Sequence, residues 1–163
     1  MSMSMNGNME NMEMMMGHQA AVGVQFAAHI VAEHSITLQT LAGLMGIPLS
    51  PADIEELKRY QLQFEQLEHE AAMMVDTMHG HQMMRQMTDH EMMEHAMELV
   101  RRFIALNQAW TAYIETLRRY APTNATWQME ISHMQREQHH MEHNLRHHLE
   151  MGGQMAGGAQ KGR

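Results

Sequence analysis

The sequence predicts an all-α fold, an antiparallel up-down-up-down four-helix bundle. Three observations predict it. Met, Leu, Glu, Gln and Ala dominate the composition, with only three Phe, two Trp and three Tyr, which favours helix over strand. Apolar residues recur at alternating three- and four-residue steps over three long stretches, as in the facing seams of a bundle. The segments between the expected helices are short, which makes sequence neighbours antiparallel. At 163 residues the chain suits one domain with a sizeable core.

Residues 1–17, MSMSMNGNMENMEMMMG, carry eight methionines among Ser, Asn, Glu and Gly and read as a disordered Met-rich tail. The bundle is expected over 18–151. Its first helix runs from about His18 to Met45, where Gly46 suits a left-handed cap and Pro48 prevents continuation. The second begins at Ser50-Pro51-Ala52-Asp53, with a good N-cap, a proline in the first turn and an early acid. It ends at Gly80 or continues to Met87. The third begins at Thr88-Asp89-His90-Glu91, a capping-box pattern, and ends before Pro122. The fourth runs from Thr123 or Asn124 to about Met151, and residues 152–163 read as a flexible tail.

The seams follow from these limits. The second helix aligns Leu57, Tyr60, Phe64, Leu67, Ala71, Met74, Met78 and His81. The third aligns Met92, Ala96, Leu99, Phe103, Leu106, Trp110, Tyr113 and Leu117. The fourth aligns Trp127, Ile131, Met134, Gln138, Met141, Leu145 and His148. On the first helix the apolar stripe is expected at Val22, Phe26, Ile30, Ile36 and Leu41.

Charge and composition exclude several functions. The formal net charge is −8 with histidine neutral, which argues against nucleic acid, a partner that requires a basic face. No apolar run is long enough to expect membrane insertion. The first residues lack the basic and apolar regions of a signal peptide, so the expectation is a cytoplasmic protein, or an exported one if a leader has been removed. With no cysteine, thiol chemistry and disulfides are ruled out.

The 23 methionines and 14 histidines are distributed unevenly. Residues 46–68 and 98–128 contain neither type. Between 73 and 97 the chain holds Met73, Met74, Met78, His79, His81, Met83, Met84, Met87, His90, Met92, Met93, His95 and Met97. Further donors follow on the fourth helix at Met134, His140, Met141, His143, His147 and His148. An antiparallel bundle brings the first tail, the end of the second helix, the start of the third and the end of the fourth to one end, here the near end. Met74, Met78, Met92, Met134 and Met141 lie on seams, where methionine also serves as a flexible core filler. The whole set cannot face one core, and a filler role gives no reason for one-ended placement.

Thioether sulfur is a soft, uncharged donor that favours Cu(I), with Ag(I) a competitor, and imidazole serves both Cu(I) and Cu(II). The pairs Met74/Met78, His79/Met83, Met83/Met87, Met93/Met97 and His143/His147 sit four residues apart, so each aims two donors at one ion. Several Cu(I) ions per chain are expected. The bland reading of the fourth-helix histidines is a solvated face.

A deeper level of polar residues is expected mid-bundle. His29 and Glu33 on the first helix match His69 on the second and His133 on the fourth. This pattern resembles the ferritin-like di-metal carboxylate bundle, with Glu130-x-x-His133 and Glu137-x-x-His140 fitting its Glu-x-x-His element. The second helix offers Glu65-x-x-Glu68 instead, and the third offers neither carboxylate nor imidazole between Arg102 and Gln108. A ferritin-like protein and a purely structural bundle are therefore the alternatives, and no catalytic constellation stands out.

In its Met-x-Met runs (Met1, Met3, Met5; Met12, Met14, Met16), its 73–97 cluster and its fourth-helix histidines, the chain resembles bacterial Met/His-rich copper-binding proteins, including helical-bundle copper-resistance proteins. The resemblance implies copper or silver storage, sequestration or delivery without catalysis. It does not identify a protein partner, and self-association stays open.

Overall fold

A computed structural model describes residues 2–79 and 87–161, with side chains described over 12–79 and 87–153. Four helices follow one another: α1 (Ser2–Met45), α2 (Pro51–His79), α3 (Asp89–Thr116) and α4 (Ala125–Lys161). A 3₁₀ turn, Leu117–Tyr120, follows α3.

The helix limits have local causes. Gly46 adopts φ 65°, and the Ile47 N–H donates to the Ala42 carbonyl at 2.9 Å, the closing bond of a Schellman cap. Ser50 Oγ accepts from the Asp53 N–H at 3.1 Å, and Asn124 Oδ1 accepts from the Trp127 N–H at 3.1 Å. Thr88 and Glu91 complete the capping box that opens α3, with two reciprocal bonds satisfying otherwise orphaned donors.

Cross-helix partners establish the directions. On α1 and α2, His18 meets His79 and Gln39 meets Gln61, so the two run oppositely. On α2 and α3, Glu70 meets Arg102 and Asp53 meets Tyr113. On α3 and α4, Gln108 meets Glu142 and Glu115 meets Gln135. Each sequence neighbour is antiparallel to the last, as expected. Diagonally, α1 runs parallel to α3, with Glu13 beside His90.

The seams of α2, α3 and α4 bury most of the residues their spacing predicts, from Leu57, Tyr60 and Phe64 through Phe103 and Trp110 to Trp127 and Ile131, while Leu106, Tyr113, Met141 and His148 are half-buried and His81 lies outside the described residues. At the far end the rings interlock: Tyr60 and Trp110 meet edge-on at 5.3 Å, and Phe64 and Phe103 at 5.9 Å. Such pairs add to the burial of area itself. A polar latch closes this end. Asp53 accepts from Tyr113 at 2.8 Å and from Tyr120, and pairs with Arg119 at 2.9 Å.

The first helix departs from expectation in two ways. Its buried face is Ala20, Ala21, Val24, Ala27, Ala28, Val31, Ala32 and Leu38, while Phe26 is 65% exposed and Ile30 and Ile36 also face outward. Small side chains win because α1 packs tightly against both α2 and α3, where a large side chain would force the helices apart. Its N-terminal limit also differs. Residues 12–17, expected in a disordered tail, are helical; Met14 and Met16 pack on the core. Gly17 makes this possible: a Cβ there would stand 3.1 Å from the Met93 Cα. The fourth helix likewise passes the expected limit at 151, with Gly152 set against the Met97 thioether.

Candidate metal centre

The near end gathers the four donor-bearing stretches expected to meet there. Gly17 of α1 lies against Met78 of α2 and Met93 of α3, Gly23 faces Leu145 and His148 of α4, and Gly152 of α4 faces Met97 of α3. Where glycine replaces a side chain, neighbouring helices approach closely.

Within this end the expected donors divide into two groups. Met74, Met78, Met92, Met93, Met97 and Met134 are buried, and Met87 and Met141 are partly buried against the same core. Met73, His79, His90, His95, His140, His143 and His147 are exposed, and His148 is half-buried. His81, Met83 and Met84 lie outside the described residues. Full burial gives Met92, Met93 and Met97 the surroundings of ordinary core side chains.

The two groups meet in one place. The His18 and His79 imidazoles approach with their Nε2 atoms 2.7 Å apart, rings edge to face at 85°. Met14, Met15 and Gln19 from α1 and Met78 from α2 complete the walls of an open cleft of about 300 Å³. Its donors are thioethers and imidazoles, and among the described residues the lining holds no carboxylate. Of these residues the sequence points to Met78 and His79 as donors and to Met14 within the Met-x-Met run, but not to Met15 or His18.

A second histidine face lies on α4, where His143, His147 and His148 line a shallow cleft of about 350 Å³ with Asn144, Arg146 and Glu150. Burial pushes the His148 imidazole below its ordinary value, and His147 beside it acts in the same direction. His90 shows the opposite shift: its hydrogen bond to Glu13 raises it.

The mid-bundle level differs from the expected one. His29 points outward to Glu68 at 3.2 Å and Glu33 at 3.7 Å, and His69 is exposed on α2. Five residues further along α1, His34 takes the interior position that sequence reading gave to His29. Its Nε2 meets Glu137 at 2.8 Å and its Nδ1 meets the Gln138 amide at 3.0 Å. Thr111 donates to Gln138 at 2.9 Å, and His133 reaches the other Glu137 oxygen at 3.1 Å. Burial lowers the His34 pKa despite Glu137. His29 and Glu33 thus share an exposed face of α1, His133 pairs with Glu137 on α4, and the four residues do not form one centre. The face is wrong because Phe26 and Ile30, taken as the buried stripe, point to solvent.

Among the described residues, no group of three His, Asp or Glu side chains is arranged to hold a metal ion. No family model matches the chain, and neither a curated protein nor a solved structure matches it. Among the described residues, no helix is long and apolar enough to cross a membrane.

Proposed function

We propose that this protein binds soft monovalent metal, Cu(I) with Ag(I) as a competitor, and serves copper storage, sequestration or delivery without catalysing a reaction. The observation that carries the reading is the convergence of methionine and histidine from four remote stretches on one end of the bundle, while the other half keeps an aromatic and aliphatic core. Thioethers are poor partners for hard cations and good ones for Cu(I). A structural bundle with a methionine-filled core is the second reading, favoured for Met92, Met93 and Met97 by their full burial.

A Leu-for-Met variant at Met83, Met84, Met87, Met92 and Met93 separates the two. Such swaps keep volume and typically cost under about 1.5 kcal/mol each. Helicity by circular dichroism should persist while Cu(I) capacity in anaerobic titration falls. X-ray absorption of the Cu(I) form should show sulfur with some nitrogen. Unchanged capacity would leave these methionines as filler, and a first shell of nitrogen and oxygen alone would end the soft-metal reading.

A further inference from the structure

We propose that His18 of α1 and His79 of α2 form a discrete Cu(I) site, completed by thioether from the methionines beside them and bridging the first two helices. The proposal rests on the soft-metal reading above, but it names a site that the Met-rich cluster alone does not.

The geometry is specific. Residues 61 apart in sequence aim the same ring nitrogen, Nε2, at one point between them, 2.7 Å apart. In such a bond one imidazole donates and the other accepts. Each ring can instead carry its proton on Nδ1, which leaves both Nε2 lone pairs for a metal. Metal–imidazole bonds are about 2 Å long, so two rings sharing an ion stand roughly 3.3 Å apart when bent and about 4 Å when linear. The rings must retreat by about an ångström, a side-chain rotation open to His79, which is exposed, and to His18, which is half-buried.

The walls supply the rest of the coordination. Met14 and Met15 lie four and three residues before His18, on the same face of α1, and Met78 precedes His79. All five side chains line the same cleft. Among the described residues the donors are imidazole and thioether without carboxylate, a set that favours a monovalent soft ion over calcium or iron. Met78 is buried at the inner wall while Met15 stands exposed at the mouth, so the site reaches both solvent and the sulfur-rich interior.

The test uses the full chain. Silver nitrate is titrated into the protein while imidazole ¹H–¹⁵N correlations are recorded. The first equivalent should shift the His18 and His79 resonances ahead of the other histidines. In parallel, Cu(I) supplied as its acetonitrile complex is competed against a chromophoric chelator. H18Q and H79Q should each weaken the tightest Cu(I) by at least about tenfold, the loss that even an outer-shell partner brings, with helicity unchanged. A Met14→Leu/Met15→Leu/Met78→Leu variant should keep the histidine shifts and lose sulfur from the first-equivalent absorption spectrum. Tight binding that leaves His18 and His79 unmoved, or is indifferent to H18Q and H79Q, overturns this site and leaves the wider soft-metal reading standing. If neither ion binds, both fall. The wild-type spectra decide the matter even if a variant folds poorly.

Discussion

The two halves of the bundle are built from different materials on the same helices. In the far half, Phe64, Phe103 and Trp110 are buried ring against ring, Trp127 is fully buried, and the Asp53 latch ties α2 to α3 and to the 3₁₀ turn. In the near half the core is Met78, Met92, Met93 and Met97, and the helices approach through Gly17, Gly23 and Gly152. Aromatic rings have few rotamers and large area, so they fix one packing. Methionine is flexible and polarizable and tolerates rearrangement. The aromatic half therefore fixes the packing, while the methionine half holds side chains that can rearrange without unfolding the bundle.

The largest effect should come from breaking the far half. Phe64→Ala removes a fully buried ring that touches Phe103 and Trp110, and such truncations cost about 3–5 kcal/mol. Met92→Leu, equally buried in the near half, should cost under about 1.5 kcal/mol. Urea denaturation of both variants in metal-free protein measures the difference. Equal losses would mean that the near half contributes as much to stability as the far half, and the division would fail.

Next in size is a contrast between glycines. A Cβ on Gly17 would stand 3.1 Å from backbone of Met93 and 3.2 Å from the Met78 methyl, whereas one on Gly43 meets nothing within 4 Å. The Met78 methyl can move, but the Met93 backbone cannot without separating α1 from α3. Gly17→Ala should therefore destabilise by about 1–3 kcal/mol, as overpacking does. Gly43→Ala should stabilise by about 0.5–1 kcal/mol through helix propensity alone. Opposite signs in the denaturation midpoints support close approach in the near half. A stabilising Gly17→Ala would show that the helices there yield freely.

The fold was legible where size marks the buried face. On α2, α3 and α4 large side chains at three- and four-residue steps revealed the seams, and Thr88, Ser50 and Gly46 marked the ends. On α1 the buried face is defined by smallness. Ala20, Ala27, Ala28 and Ser35 carry little hydrophobic signal, and Phe26 and Ile30 drew the stripe to the solvent side. That one error moved the interior histidine from His34 to His29. The helical state of residues 12–17 was hidden by low complexity, although Met and Glu are good helix formers. The His18–His79 pair was within reach of counting: His18 lies 28 residues before Gly46 and His79 lies 29 after Ser50, so an antiparallel hairpin puts them level. What no count supplies is rotation about each helix, which decides whether two level residues face each other or turn away.

The smallest effect is a dependence on pH that separates the interior from the far-end latch. His34 is 9% exposed, and burial holds its imidazole below the ordinary histidine value against the pull of Glu137 and Glu130 and with the help of His133. The unfolded chain therefore binds a proton that the native state refuses. Stability from this group is present above about pH 6.5 and is lost as pH falls from there through the lowered native value, with a slope of at most one proton. Asp53 acts in a lower window. Burial pushes its carboxyl up, but hydrogen bonds from Tyr120, Tyr113 and Ser50 and the charge of Arg119 together outweigh it and hold it below the ordinary aspartate value. Its contribution is present above the unfolded value of about 3.9 and is lost as pH falls through the native one. Denaturation of metal-free protein from pH 7.5 downward should show both. His34→Gln, which keeps hydrogen-bonding capacity and removes the titration, should flatten the upper window alone. Asp53→Asn should flatten the lower window alone. An upper slope unchanged in His34→Gln would assign the acid sensitivity to the near-end histidines, among which burial also lowers His148, and would move the pH-responsive element from the middle of the bundle to its near end.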